Sequence, residues 1–327
     1  MKRKHAILLA AVVMPLLAEG TLRVAASVTG RERGMRFDEE LGWRPMPNLV
    51  RAGSQWGARE PARTNSRGWR DDEHTLEKRP GVQRAVAVGD SFTWGIGVDF
   101  GERYTEQLTR YVEKLEVVNL GVNAYGPDQE LRALQVEGAL YSPDFVIAQL
   151  YFGNDFEDVR FTRLFSWPKP HAVLADGKLS FEPAVATWDV HLRSTTYIGE
   201  LVFRALEPRI ERNVRAPALA TCDTQPLLLA IYREIDALAK RHGRGALIVI
   251  AYPPERSTVD PLPVETALRD ALVASGLDVL DTHAPFRAAI EAGRSLHLAL
   301  DGHWNAEGHA FVAELIAREI EKRGWVK

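Results

Sequence analysis

Apolar residues gather along this chain in five short runs separated by longer stretches of helical period. The runs are "AVAVG" at 85–89, "EVVNLG" at 116–121, "DFVIAQLYF" at 144–152, "ALIVIAY" at 246–252 and "LDVLD" at 277–281. Each is short and nearly continuous in small, aliphatic or β-branched residues, the pattern of a strand buried on both faces of a parallel sheet. Between them, "ERYTEQLTRYVEKL", "DQELRALQVEGALY", "PLLLAIYREIDALAKRHG", "VETALRDALVASG" and "NAEGHAFVAELIAREIEKRG" return to an apolar residue every three or four positions. That spacing predicts amphipathic helices. Strands alternating with helices of this length predict βαβ crossovers and a single parallel sheet covered on both sides.

Three segments fall outside this rhythm. Residues 28–80 are rich in Arg, Gly, Pro and Asn and have no period of either kind, so they read as an extension draped over a domain spanning 81–327. The interval 156–223 holds "AVLADGKLSF", a hairpin turning at Asp176-Gly177, and a helix around "TTYIGELVFRALE". It is an insertion after the third strand, and insertions at that edge of an open α/β sheet stand over the ligand crevice. Residues 1–27 open with Lys2, Arg3 and Lys4 before an unbroken apolar run from Ala6 to Ala18, the form of an export signal. A transmembrane helix needs about 20 apolar residues, and Gly20, Thr21, Leu22, Val24 and Ala25 extend the run past Glu19, with Arg23 able to snorkel. Cleavage and retention as an inner-membrane anchor are both open; either puts the body of the protein outside the cytoplasm, in the periplasm or cell envelope.

Composition narrows the function. With 327 residues, 46% hydrophobic and 26% charged, the chain has material for one large α/β domain with a full core. A net charge of -3, with no basic run beyond the N-terminus, lacks the electrostatic footprint of a nucleic-acid binder. The single cysteine, Cys222, has no intrachain partner, and neither C-x-x-C nor H-E-x-x-H occurs. No metal and no cofactor is expected.

The candidate chemistry begins at "VGDSFTWG", where Ser91 follows the first strand and precedes a helical segment at the carboxyl edge of the sheet. A lone serine there is more often a helix cap. The phosphate-binding G-x-x-x-x-G-K-[ST] loop is absent, and Thr93 stands where the G-x-S-x-G elbow requires glycine. A nucleophile needs a base, an orienting group and oxyanion donors. "LALDGHWN" offers Asp301 and His303, two residues apart, and the bland alternative is that Asp301 and Asn305 start the last helix. "NLGVNAYG" offers Gly121, whose backbone N–H can approach a ligand closely, and "YFGNDFED" offers the amide of Asn154. His283 in "LDTHAPF" also follows an aspartate by two residues, and His309 falls within the last helix near its buried face. Trp94, Asn123, Tyr125, Phe152 and Glu255, at strand–loop junctions, are candidate substrate contacts or core packing. Trp69 in "TNSRGWRDDE" either packs on the domain or borders the site.

Taken together, "GDS", "NLG", "GND" and "DGHWN" resemble the four blocks of the SGNH, or GDSL-type, hydrolase superfamily, from about residue 83 to the C-terminus. Two blocks depart from the usual form: Gly153 directly precedes Asn154, and Asp301-Gly302-His303 is one residue shorter than D-x-x-H, a form similar to bacterial envelope members. The resemblance implies a flavodoxin-like three-layer sandwich with a five-stranded parallel sheet. It implies a serine esterase with a Ser91, His303, Asp301 triad, an oxyanion hole from Ser91, Gly121 and Asn154, and no cofactor. The substrate it implies is an acylated small molecule or envelope glycan, such as one bearing O-acetyl groups. An O-acyltransferase and a non-catalytic glycan-binding or assembly module are the competing readings.

Overall fold

The computed structural model describes residues 2–29, 34–51, 58–206, 214–215, 223–299 and 301–326; Cys222 lies outside them. Five parallel strands form the central sheet: β1 (Gln83–Val88), β2 (Leu115–Asn119), β3 (Phe145–Tyr151), β4 (Ala246–Ala251) and β5 (Asp278–Asp281). Their spatial order is 2-1-3-4-5, the flavodoxin-like order, whose switch point between β1 and β3 is where open α/β sheets bind ligands.

Besides a single helical turn at Asp155–Asp158, the helices among the described residues are α1 (Lys2–Thr29), α2 (Ser91–Trp94), α3 (Tyr104–Tyr111), α4 (Pro127–Val136), α5 (Trp188–Thr195), α6 (Tyr197–Leu206), α7 (Gln225–His242), α8 (Pro263–Ala274), α9 (His283–Glu291) and α10 (Ala306–Lys322). Alternate residues of each inner strand point to opposite faces. Val86 and Val88 join one core with Leu131 of α4, Ile231 and Ile235 of α7 and Leu268 of α8. Ala85 and Ala87 join the other with Leu108 of α3, Phe286 of α9 and Val312 and Ile316 of α10. Each fully buried aliphatic side chain in these layers contributes about 1.5–3 kcal/mol, and the doubled core explains why the strands read as continuous apolar runs.

Two elements differ from the sequence pattern. β5 is an edge strand, half-buried along its whole length rather than sealed on both faces. His283 does not prolong that strand but begins α9, a helix masked in the sequence by Pro285, which is tolerated because it falls in the first turn.

The extension folds as short antiparallel ribbons, pairing Met35–Asp38 with Gly42–Pro45 and Val50–Arg51 with Ala62–Arg63. Trp69 is fully buried and packs on the domain under the Arg44 guanidinium. Arg70 reaches further, donating to the carbonyls of Trp94 (2.8 Å), Gly95 (2.6 Å) and Val98 (2.9 Å) in the loop that follows α2. In the insertion, His171–Ala175 pairs with Lys178–Glu182 across Asp176-Gly177, both in the left-handed conformation that the two-residue turn demands. Gly42, at φ 82°, lets the first ribbon touch the insertion, where a β-carbon would strike the Pro168 carbonyl at 2.4 Å.

Candidate active site

β1 ends at Val88, and Asp90 is the N-cap of α2, its Oδ1 accepting the Phe92 N–H at 2.9 Å. The cap that Ser91 was a candidate to supply is therefore filled by its neighbour, and the Ser91 hydroxyl is left for other work. Its Oγ lies 2.7 Å from Nε2 of His303, 212 residues away in the chain. The imidazole is braced by Phe92, ring to ring at 4.8 Å. On its other side Nδ1 stands 3.2 Å from Oδ2 of Asp301, within ion-pairing reach of a protonated ring, although the N–H direction does not align on that oxygen. Asp301 Oδ1 accepts the backbone N–H of His303 at 3.1 Å. The turn between them needs Gly302, at φ 78°, where a β-carbon would meet Pro254 at 2.6 Å. Asn305, not Asp301, caps α10, accepting the Gly308 N–H at 2.9 Å.

The other histidines are occupied. His283 Nε2 donates to the carbonyls of Arg256 (2.9 Å) and Val259 (2.8 Å), so the ring is fixed away from Ser91. His309 is buried in α10 with Nδ1 accepting the Tyr104 N–H at 3.2 Å, and burial pushes its pKa down to about 3, holding it neutral.

Asn154 opens a single helical turn after β3 without capping it through its side chain. Its amide lies beside the Asp90 carboxyl and lowers that group's pKa, and its Oδ1 is buried without a partner. An amide nitrogen carries two N–H groups, and Asn154 lines the same cleft as Ser91 and His303. Burial raises Asp90 to about 6, against the pull of the Phe92 N–H and the His303 charge.

A cleft of about 580 Å³ surrounds these groups; Ser91, Asn123, Asn154, Asp301 and His303 all line it. Gly121 does not. Its N–H donates to Asn119 Oδ1 at 2.9 Å and its α-carbon is pressed on Thr93, where a β-carbon would sit at 2.5 Å. The donor expected from this glycine is thus turned into the loop. The part of that loop facing the cleft is Asn123-Ala124, and Ala124 holds φ at 66°, a conformation uncommon for a non-glycine residue and found often at functional sites.

Four further substrate-contact candidates lie elsewhere. Trp94 is buried in α2 beneath the Arg70 guanidinium. Tyr125 is sealed in the core, its hydroxyl donating to the Trp43 carbonyl at 2.5 Å, and so anchors the extension. Phe152 packs on Phe156 and Tyr252. Glu255 is exposed on the turn Pro254–Ser257, outside the cleft lining. The cleft walls instead include Met35 and Trp43 from the extension and Phe165 and Trp167 from the insertion. Phe165 and Ser166 occupy a tight turn at φ 48° and 66°, which leaves the Phe165 ring half exposed, and Trp167 is held from behind by the Arg193 guanidinium at 3.5 Å. Among the described residues, no group of three or more His, Cys, Asp or Glu side chains is arranged to hold a metal ion.

No family model matches this chain, and no curated protein matches it. Solved structures do. The lipase/acylhydrolase from Enterococcus faecalis is 16% identical with a TM-score of 0.42, over 75% of this chain and 98% of that one. A member of the lipolytic protein G-D-S-L family from Veillonella parvula DSM 2008 is 14% identical with a TM-score of 0.40, over 74% and 97%. A catalytic mutant of Axe2, an acetylxylan esterase from Geobacillus stearothermophilus, is 14% identical with a TM-score of 0.41, over 75% and 96%. The chain is similar to GDSL-type hydrolases and acetylxylan esterases. At this level of likeness the assignment of chemistry rests on the side chains themselves.

Proposed function

We propose that this protein is a serine esterase of the SGNH type that hydrolyses small acyl esters carried on an envelope glycan. The observation that carries the reading is the 2.7 Å contact between Ser91 Oγ and His303 Nε2 at the switch point of the sheet. In the proposed reaction Ser91 Oγ attacks the ester carbonyl and its proton passes to His303 Nε2, while Asp301 stabilises the imidazolium. The tetrahedral oxyanion accepts hydrogen bonds from the Ser91 N–H, which as a first-turn helix donor has no intrahelical partner, and from the side-chain amide of Asn154. The Ala124 N–H supplies the position first assigned to Gly121. Collapse expels the alcohol, which takes the proton from His303. Water, deprotonated by the same imidazole, then attacks the acyl-serine, and the acid leaves as the Ser91 proton is restored.

The glycan part of the reading is supported by the cleft walls. Trp43, Phe165 and Trp167 present aromatic surface beside the nucleophile, with Asn123 as a polar group among them, a combination suited to a ligand with both apolar faces and hydroxyls. The test is hydrolysis of p-nitrophenyl acetate and of an acetylated oligosaccharide by the wild type and Ser91→Ala. Acetate release lost by roughly three orders of magnitude in the variant supports the esterase. Transfer of acetyl to an added sugar in place of release assigns an acyltransferase, and turnover equal in both proteins refutes nucleophilic Ser91.

A further inference from the structure

Helix α1 runs unbroken from Lys2 to Thr29, and Ile7–Thr29 is long and apolar enough to cross a membrane. Its outer half does not hang free. Glu19 accepts the N–H groups of Tyr197 (3.1 Å) and Ile198 (3.0 Å) at the start of α6, and Arg23 pairs with Glu19 at 2.8 Å and donates to the Thr195 carbonyl at 3.0 Å. A carboxylate inside an apolar span is costly unless fully partnered; here the partners come from the insertion.

The position of that contact along the helix has a geometric consequence. From Ile7 to Glu19 the rise is only about 18 Å at 1.5 Å per residue, against a hydrocarbon thickness of about 30 Å. With α1 in place as an anchor, the residues that hold Glu19 lie in the outer leaflet rather than above it, and they carry α5 and α6 with them. The surface of these helices agrees. Trp188 is 70% exposed, Leu201 53% and Val202 41%, although all are large and apolar. A groove of about 440 Å³ opens between the two helices, lined by Trp188, Leu192, Val202, Phe203 and Leu206, with Arg163 and Asp189 also in its wall.

On the reading that α1 is retained, we propose that α5 and α6 form a second membrane contact, seated in the outer leaflet, and that their groove holds phospholipid acyl chains. The one occupant consistent with the depth of Glu19 is the lipid around α1. Exposed Trp188 then belongs to the interfacial belt that amphipathic aromatic rings prefer, and the catalytic domain is held at two points, which restricts its rotation about the anchor. The insertion so placed is the same one whose Phe165 and Trp167 wall the cleft, so the cleft is presented to the membrane face of the envelope.

The test uses the full chain in phosphatidylethanolamine–phosphatidylglycerol vesicles. Nitroxide labels are placed singly by Trp188→Cys, Val202→Cys and, as a control on α3, Tyr111→Cys, each with Cys222→Ser. The expected result is several-fold greater collision with oxygen than with an aqueous nickel chelate at 188 and 202, and the reverse at 111. Ready access of the nickel chelate to 188 and 202 overturns the proposal. So does protection from both reagents, the mark of a second protein copy over the groove, or a membrane-derived chain whose mass shows α1 removed. Hydrolysis of p-nitrophenyl acetate by the same samples reports on the esterase reading independently.

Discussion

Replacing Lys169 with methionine should remove a buried cation from an acidic layer behind the site. Lys169 is fully buried, its Nζ 2.7 Å from Asp128 Oδ1 and 2.7 Å from the Asp158 carbonyl. Asp128 is equally buried, and around them lie Asp90, Glu130, Asp155 and Asp158, all buried. Glu130 has no partner for either carboxyl oxygen, and burial beside Asp155 and Asp90 drives its pKa far above the usual carboxylate range; Asp155 is raised for the same reasons. Asp158 is pushed up to about 7 by burial, with Lys169 opposing the shift. Breaking a buried pair by deleting one partner costs about 3–5 kcal/mol because the other charge is stranded. For a chain of this size that is a fall in Tm of roughly 6–10 °C at pH 8.

The pH dependence follows from the direction of the shifts. An acid whose folded pKa stands above its unfolded value binds more protons folded than unfolded in that interval, so stability falls as pH rises through it. For Asp158 the interval runs from its ordinary 3.8 to about 7. At pH 5 the layer therefore takes up protons in place of the missing ammonium, and the deficit of Lys169→Met should shrink to about half or less. Adding Asp128→Asn should restore most of the loss at pH 8, since the stranded charge is then gone. Thermal melts of the four proteins of this cycle at pH 5 and pH 8 provide the measurement. A deficit equal at both pH values and untouched by Asp128→Asn would refute the electrostatic account and leave only lost packing.

Asn154→Ala should lower kcat for p-nitrophenyl acetate by roughly 10² to 10³, the usual loss of one oxyanion donor; unchanged kcat would remove Asn154 from the oxyanion site. His303→Ala and Asp301→Ala should each cut kcat by orders of magnitude, whereas His283→Ala should leave it close to wild type and lower Tm, because its ring ties two carbonyls rather than the serine; the opposite ranking refutes the assignment. Ala124→Gly should preserve kcat, since glycine adopts a positive φ freely, while Ala124→Val should lose both activity and stability because a β-branched residue is strained there. Equal activity in the two variants would remove this loop from the oxyanion site.

The sheet was legible in the sequence because its inner strands are buried on both faces and so stand out as apolar runs, and because Ser91, Asn154 and His303 sit at or near element ends where a short motif fixes local geometry. What escaped was tertiary. Trp94, Tyr125 and Phe152 stand beside the right residues in sequence, but a strand–loop junction gives one side chain to the cleft and the next to the core, and the pattern does not say which. Gly121 was misread because Asn119, two residues earlier, competes for its N–H. Met35, Trp43, Phe165 and Trp167 lie in segments without period, and only the meeting of two ribbons over the sheet brings them to the nucleophile. The positive φ of Ala124 had no signal in the residue type at all.

That meeting of ribbons divides labour within the molecule. The proposed nucleophile and its histidine are carried by the sandwich, while Met35, Trp43, Phe165 and Trp167 of the cleft wall come from the extension and the insertion, outside the central sheet. Met35 and Trp43 belong to that periphery and line the cleft from outside the five-stranded sheet, although Trp43 is also packed into the core beside β1. On the proposed reading, the choice of esterified alcohol is therefore set largely by these decorations, which are themselves tied into the sandwich by Leu41, Trp43, Trp69 and Arg70.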